Sequence, residues 1–322
     1  MGFRACATDS CLFVRDDKLP AIIALYVDDL LIGSATAEEA DNIKMELTSH
    51  FSIKDLGDAR YVLAIQVQYY REKGTLHICQ SQFIERMIAK FAKNPNVVGQ
   101  HLEDELHSKL TDQKRFREVI GSLLYVANAP TQAHMNTAIP VLRYLKGTQD
   151  VGIEYKRMKG QDALLQVFVD ANWGGDLKSR RSTSGVLVLM CGGPVIFKAK
   201  RQRTVALSSA ESEYMALSLA AQEAMWLRNL LGELGLDDLP SQQSMLTTRR
   251  LLRLLDTLDI SLERNISHYA ITLAVEEGIL TLEYIPSAMQ LADFMTNASP
   301  TPQFTKLVAE SGITILAAAN DS

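Results

Sequence analysis

Cysteine is scarce in this chain, and its distribution excludes several classes of protein. Four cysteines occur among 322 residues, and they lie far apart without the paired spacing of zinc ligands. They are typical of reduced intracellular thiols, so we expect no disulfide scaffold and no secretion. The amino terminus also lacks the basic segment and apolar core of a signal peptide. No apolar stretch reaches the roughly 18 residues of a membrane span, so no membrane partner is expected.

A strong net charge is also absent, but the basic residues are unevenly distributed. The net charge is only −5, which by itself predicts no particular partner. From residue 178 to residue 203, however, there is no acidic residue, and the segment contains Lys178, Arg180, Arg181, Lys198, Lys200, Arg201 and Arg203. We call these seven residues the basic stripe. Such a stripe indicates a surface that faces phosphate, or alternatively an edge strand protected by charge.

The first half of the chain combines predicted strands and helices. Alternation predicts a β-hairpin over 21–33, and Thr36 with Glu39 forms a capping box that opens a helix ending near His50. The other predicted elements are strands at 61–69 and 75–79 and helices at about 82–93, 113–127 and 136–146. A polar, glycine-containing segment at 156–162 marks a domain boundary.

The second half has a different order of elements. Three predicted strands, at 164–170, 185–190 and 195–198, precede a long helix that Ser208 and Glu211 open and Gly235 closes. The first strand ends on Asp170. Trp173 beside it is expected in the core, with stacking on a sugar or base of a nucleic acid as the alternative. On the helix, the predicted buried face comprises Met215, Leu219, Trp226 and Leu230.

Two adjacent acidic residues, Asp28 and Asp29, lie at the bend of the first hairpin between apolar strands. Ionised carboxylates in apolar surroundings are costly unless a cation or hydrogen bonds compensate. A hairpin that presents two carboxylates suits a divalent metal, as polymerases use it. The alternative is an ordinary turn, where aspartate is common.

Several of these residues belong to longer sequence motifs. They include Tyr26-Val27-Asp28-Asp29, Ile120-Gly121-Ser122-Leu123-x-Tyr125, Val141-Leu142-Arg143-Tyr144-Leu145-Lys146-Gly147-Thr148, Asp170-Ala171-x-Trp173, Ala206-Leu207-Ser208-Ser209-x-Glu211 and Gln290-Leu291-Ala292-Asp293. In these motifs, which run from residue 3 to about 306, the sequence resembles the C-terminal part of the Pol polyprotein of a copia-type retrotransposon.

The resemblance implies both a fold and an activity. The fold class is α/β (α+β): a truncated reverse transcriptase with partial palm and connection (1–155), a ribonuclease H-like domain (163–306) with a mixed five-stranded sheet and flanking helices, and a C-terminal tail (307–322). The implied activity is RNA-directed DNA polymerase with cleavage of RNA in RNA–DNA hybrids, within an element that undergoes DNA integration. Implied partners are the hybrid or another nucleic acid, bound partly by the basic stripe, and other Pol or Gag-derived chains, inside the cell in a cytoplasmic particle or the nucleus.

The resemblance also assigns catalytic and metal-binding roles to five carboxylates. Asp28 and Asp29 correspond to two of three polymerase aspartates, the third being expected on a strand before residue 1. Asp170, Glu211 and Asp293 correspond to the first, second and fourth ribonuclease H carboxylates, which would hold Mg²⁺ or Mn²⁺. Each of the latter three has a structural alternative, because Asp170 could end a strand, Glu211 could cap its helix and Asp293 could complement a helix dipole.

The third ribonuclease H carboxylate is missing. The family has Asp-Asn-Gln after a strand near residue 246, where this chain has Thr247-Thr248-Arg249. Asp256 and Asp259 lie too far downstream to replace it, because metal sites tolerate little displacement. With the fingers and the first palm aspartate also missing, we expect a polymerase-inactive, nuclease-impaired chain that holds metal weakly. The alternatives are a catalytically inactive nucleic-acid-binding remnant and a non-functional product of a decayed element.

A local frame error would explain the missing segment. Codons compatible with residues 246–266, read from the third base of Leu246, can spell a string that begins with Asp-Asn-Gln and ends with Thr-Lys-His-Ile, as in the family. The hypothesis places the error at about 241–266, and coding DNA that cannot spell Asp-Asn-Gln in another frame would exclude it. Asn297, where the family has lysine, and a shortened segment between Leu124 and Ala133 are further departures.

Overall fold

The structure is a computed structural model that describes residues 2–15, 21–92, 144–158, 165–176, 178–236, 243–247, 271, 280–297 and 300–315. Its strands are β1 (Arg4–Ala5), β2 (Leu12–Arg15), β3 (Ala21–Tyr26), β4 (Asp29–Ser34), β5 (Tyr61–Val62), β6 (Ile65–Tyr70), β7 (Thr75–Cys79), β8 (Val151–Lys156), β9 (Gln166–Asn172), β10 (Thr183–Met190), β11 (Gly193–Arg201), β12 (Gln243–Thr247), β13 (Leu280–Tyr284) and β14 (Ile313–Ile315). Its helices are α1 (Ala37–His50), α2 (Ser81–Ala92), α3 (Ser209–Glu233), α4 (Asp293–Thr296) and α5 (Thr301–Glu310). Across these ranges, no helix is both long and apolar enough to cross a membrane.

The first sheet contains the predicted hairpin. Its strands are antiparallel in the order β1-β2-β3-β4, and α1 follows the edge strand β4 in the chain. Thr36 is the N-cap of α1, because its hydroxyl accepts the amide of Glu39. Ile43 and Leu47 of α1 pack against Ala21 and Ile23 of β3, which fixes the base of the hairpin. The predictions of the hairpin and of the capped helix are confirmed.

The second sheet joins distant parts of the chain. Its antiparallel order is β14-β8-β7-β6-β5. The predicted strand at 61–69 is wrong in one respect, since a turn at Leu63 and Ala64, both with positive φ, splits it into β5 and β6. The predicted tail at 307–322 also needs correction, because α5 extends to Glu310 and β14 pairs with β8.

The third sheet has five strands in the order β11-β10-β9-β12-β13. β9, β10 and β11 are antiparallel, whereas β12 is parallel to both β9 and β13. α3 covers one face, where the core includes Val167, Val169, Val186 and Val188, and burial of each contributes roughly 1.5–3 kcal/mol. Residues of α4 and α5 cover the other face around Phe168 and Leu187. The prediction of a mixed five-stranded sheet with flanking helices is confirmed.

The buried face of α3 differs from the prediction. Small residues dominate it, so the helix lies close to the sheet; the buried positions include Ser212, Ala216, Leu217, Ala220, Ala221, Ala224, Leu227 and Leu231. Leu230 is buried as predicted, Met215 and Leu219 are half-buried, and Trp226 is exposed. The prediction assigned the buried face to large apolar residues. In the structure, alanine residues form much of the contact with the sheet.

Several predictions fall outside the described residues. These are the helix at 113–127, most of the helix at 136–146, the acidic residues Asp256 and Asp259, and most of the suspected frame error at 241–266. Residues 144–147, at the end of the second predicted helix, are helical. The predicted boundary at 156–162 is described only as far as residue 158.

Candidate functional site: a carboxylate pair and an adjoining basic surface

The hairpin that carries Asp28 and Asp29, which we call the acidic hairpin, has a two-residue turn between β3 and β4. Tyr26 pairs with Asp29, so Val27 and Asp28 form the turn, and Val27 has a φ of 53°. Asp28 and Asp29 are exposed, and Val27 is 80% exposed. The expectation that buried strands flank these carboxylates is therefore wrong at the tip of the hairpin, where water solvates them.

Asp170 and Asp293 are brought together by a close approach of α4 to the third sheet. Asp170 lies opposite Gly185 in the β9–β10 ladder. A Cβ on Gly185 would lie 2.6 Å from Cγ2 of Thr296 and 3.1 Å from the carbonyl oxygen of Ala292. Only glycine leaves room for α4 here, which explains why this position on a central strand has no side chain.

The side-chain amide of Asn297 bridges the two carboxylates. Its Nδ2 donates to Oδ1 of Asp293 at 2.8 Å and to Oδ2 of Asp170 at 3.2 Å. The hydroxyl of Thr296 also donates to Oδ2 of Asp170. Asn172, two residues after Asp170 on β9, donates to the carbonyl oxygen of Thr296 at 3.2 Å. The carboxylate pair is thus part of a hydrogen-bond network with neutral donors.

Gln290 attaches the acidic segment to β9. Its Nε2 donates to the carbonyl oxygen of Val169 at 3.0 Å, and its Oε1 accepts the amide of Ala292 at 3.2 Å. The residue is 3% exposed. Of the motif Gln290-Leu291-Ala292-Asp293, the glutamine therefore positions the aspartate beside Asp170.

Glu211 performs the helix-capping role that was its structural alternative. The hydroxyl of Ser208 accepts the amide of Glu211 at 3.1 Å, and Oε2 of Glu211 accepts the amide of Leu207 at 2.6 Å. The carboxylate is at the exposed first turn of α3. These two bonds satisfy amide groups at the start of the helix that would otherwise lack partners.

The described residues do not form a two-metal centre. Carboxylate oxygens are suitable ligands for Mg²⁺ or Mn²⁺. Within the part of the chain that the structure describes, however, no three acidic, histidine or cysteine side chains form a group that could hold a metal ion. Asp170, Glu211 and Asp293 therefore do not form such a group, and no third described side chain of this kind joins Asp28 and Asp29.

The basic stripe borders the third sheet, and two of its members form ion pairs. Arg201 pairs with Asp176 at 2.8 Å, and Lys198 pairs with Glu223 of α3. The backbone amide of Ser179, then Arg201 and the amide of Lys178, lower the pKa of Asp176 far below its ordinary value. The segment 178–203 contains no acidic residue, but in the folded chain the carboxylates of Asp176 and Glu223 lie beside the basic stripe.

The other features of the stripe fit both of its predicted roles. β11 is an edge strand of its sheet, and charged side chains there oppose pairing with another chain. Lys178, Arg180, Lys200 and Arg203 are exposed. They present positive charge near the end of β9 that carries Asp170, which suits a phosphate-bearing partner.

Trp173 is exposed, contrary to the prediction that it belongs to the core. Its side chain is 54% exposed, and its Nε1 donates to the carbonyl oxygen of Ala206 at 3.0 Å. Position beside a strand end suggested burial, but β9 ends at Asn172 and the polypeptide turns at Gly174, which has a φ of 60°. The indole therefore lies on the surface beside the basic stripe.

Sequence reasoning missed the roles of Thr296, Asn297 and Asn172. Weak signals existed: Thr296 lies three residues after Asp293 on α4, and Asn172 shares a strand face with Asp170. Neither spacing indicates these hydrogen bonds, because the contacts between α4 and β9 depend on tertiary packing.

Comparison with known proteins places the chain in the class of retrovirus-related Pol proteins. Residues 1–99 match the family model described as reverse transcriptase (RNA-dependent DNA polymerase). The retrovirus-related Pol polyprotein from transposon RE1 of Arabidopsis thaliana is 28% identical over 98% of this chain, which spans only 23% of that protein. The uncharacterized mitochondrial protein AtMg00810 of Arabidopsis thaliana is 31% identical over 63% of this chain and 93% of its own length.

The chain belongs to the family of copia-type retrotransposon Pol polyproteins. It spans about a fifth of the length of the transposon polyproteins that it matches. Among solved structures, a foamy viral protease–reverse transcriptase in complex with double-stranded DNA has a TM-score of 0.45 and 12% identity, covering 82% of this chain and 46% of that chain.

Proposed function

We propose that this chain binds RNA–DNA hybrids through its ribonuclease H-like part (163–306), does not polymerise DNA and is impaired in cleaving RNA. The observation that carries the impaired cleavage is the Asn297 amide, which lies between Asp170 and Asp293, together with the capping role of the Glu211 carboxylate. A two-metal cleavage site requires carboxylates that hold both ions in register. Here two of the inherited carboxylates share a neutral donor and the third is engaged in its own helix.

The state of the acidic hairpin supports the absence of polymerase activity. Two metal ions about 3.5–4 Å apart need ligands on both sides. Asp28 and Asp29 extend from an exposed tip, and no third ligand accompanies them within the described residues. We therefore expect Mg²⁺ or Mn²⁺ to bind weakly at either site.

The charge distribution supports binding of nucleic acid. Exposed lysine and arginine side chains near β9 offer sequence-independent, salt-sensitive contacts to phosphate. An overall charge of −5 does not oppose this, because the stripe is local. Membership of the Pol family supports the choice of an RNA–DNA hybrid, other Pol or Gag-derived chains as further partners, and a location in a cytoplasmic particle or the nucleus.

Cleavage and binding of one labelled RNA–DNA hybrid test the proposal. Cleavage is measured with Mg²⁺ or Mn²⁺ for the chain and for Asp170→Asn, and binding is measured by fluorescence anisotropy at several salt concentrations. We expect hybrid binding that weakens as salt increases and cleavage by the chain that barely exceeds that of the variant. Efficient metal-dependent cleavage that Asp170→Asn abolishes would contradict impairment, and absence of binding at low salt would support a decayed, non-functional product instead.

A further inference from the structure

Exposed apolar side chains occur in two segments, one directly after β9 and one directly before α3. Trp173 is 54% exposed, Val205 is 48% exposed and Leu207 is 86% exposed. Large apolar side chains are normally buried, and a group of them on the surface is typical of a contact site.

Hydrogen bonds connect the two segments that carry these side chains. The indole Nε1 of Trp173 donates to the carbonyl oxygen of Ala206 at 3.0 Å, and Ala206 itself is buried. The next amide, that of Leu207, donates to the carboxylate of Glu211 at 2.6 Å. The indole is therefore held against the segment 205–207 from one side, while much of the ring stays open to solvent.

Positive charge adjoins the indole. The guanidinium Nη2 of Arg180 lies 3.3 Å from the position that a Cβ on Gly174 would occupy, directly after Trp173 in the chain. The amide of Gly174 donates to the hydroxyl of Ser182 at 3.0 Å, which holds this turn against the start of β10. Arg203, two residues before Val205, is also exposed. Aromatic faces beside basic side chains are the combination with which proteins bind unpaired nucleotides.

We propose that Trp173 and Leu207 form a platform on which an unpaired base of the bound nucleic acid stacks. The inference rests on the proposed binding of hybrids and adds the form of the substrate. Bases inside a duplex are already stacked and paired, so a protein ring can reach the face of a base only where the strand is single. Because Trp173 follows Asp170 by three residues, the platform adjoins the place where the duplex would lie. The chain should therefore bind a hybrid with a single-stranded overhang more tightly than a blunt hybrid of the same sequence.

Tryptophan fluorescence provides a direct test, because the chain has two tryptophans. Trp226 is a matched control, being 41% exposed on α3. Trp226→Phe leaves Trp173 as the reporter, and Trp173→Phe leaves Trp226. On addition of the overhang hybrid, we expect quenching in the first variant and a nearly unchanged signal in the second.

Affinities measured by anisotropy complete the test. Trp173→Ala should bind the overhang hybrid roughly five- to tenfold more weakly, given the usual effect of removing a stacking ring, and should bind the blunt hybrid as the unsubstituted chain does. Trp226→Ala should change neither affinity. Leu207→Ser, at a highly exposed side chain that the fold does not need, should give a smaller loss in the same direction.

The outcomes separate this inference from the function on which it rests. Equal affinity of the unsubstituted chain for overhang and blunt hybrids, or absence of quenching at Trp173, would overturn the platform and leave hybrid binding intact. Failure of the unsubstituted chain to bind any hybrid at low salt would overturn the proposed function itself.

Discussion

At the scale of single residues, Asn297 has the clearest physical role in the carboxylate site. One amide group donates to Asp170 and Asp293, which would otherwise face each other with fewer donors between them. Hydrogen bonds to charged acceptors are stronger than bonds between neutral groups. Asn297 is therefore integrated into the local hydrogen-bond network of this chain.

Replacement of Asn297 by alanine should destabilise the chain. We expect the free energy of unfolding to fall by about 1–2 kcal/mol, since two carboxylates lose a shared donor. Urea denaturation followed by circular dichroism measures the change. Asn297→Lys, which retains a donor near both carboxylates, should keep most of the stability. Equal stability of the alanine variant and the original chain would contradict the role of the amide.

At the scale of secondary-structure elements, the approach of α4 to the third sheet decides the geometry of the site. Gly185 permits this approach, because the nearest neighbours of a Cβ there would be Thr296 and the backbone of Ala292. The Thr296 side chain is 6% exposed and cannot turn away into solvent.

Gly185→Ala should therefore move α4 and weaken the fold. We expect a loss of about 1–3 kcal/mol, the usual effect of overpacking, seen as a lower midpoint of urea denaturation. Gly147→Ala is the matched control, because nothing lies within 4 Å of its Cβ position and residues 144–147 are helical. That control should be neutral or slightly stabilising. Equal midpoints for both variants would show that α4 can adapt without cost.

The elements themselves were predictable to different extents. The hairpin and both capped helices followed from alternation and from Thr36 and Ser208, since these signals are local. The turn at Leu63 and Ala64 was not predictable, because it uses residues that carry no turn chemistry and are held in positive φ by the sheet. The exposure of Trp173 and the Asn297 bridge depend on how distant segments pack, and no local pattern encodes either.

At the scale of the whole molecule, Glu233 connects the first sheet to the end of α3. Its carboxylate accepts the amides of Ala7 at 2.5 Å and Thr8 at 3.0 Å, and also the Thr8 hydroxyl. Arg4 donates to its carbonyl oxygen at 3.1 Å. The hydrogen bond from the Thr8 side chain, followed by the two amide bonds, lowers the pKa of Glu233 below its ordinary value of 4.5.

This contact should weaken in acid. A carboxylate whose pKa is lower in the folded chain stabilises it above the ordinary value, and the contribution disappears as the pH falls through the folded pKa. Urea denaturation at pH 7 and below pH 4.5 should show that Glu233→Gln loses less stability on acidification than the unsubstituted chain. Glu310→Gln, at an exposed position at the end of α5, should keep the full dependence. If Glu233→Gln and the unsubstituted chain respond equally to acid, the carboxylate has no such role.

The pairing of β14 with β8 has a practical consequence for any attempt to divide this protein. Residues 313–315 form the edge strand of a sheet whose other strands come from residues 61–156. The C-terminal part of the chain therefore pairs with the first half of the sequence. A fragment that ends at residue 306 would lack β14 and leave one edge of β8 unpaired. An isolated second half would contain β14 without its partner strand β8. Experiments on hybrid binding or cleavage therefore require the undivided polypeptide.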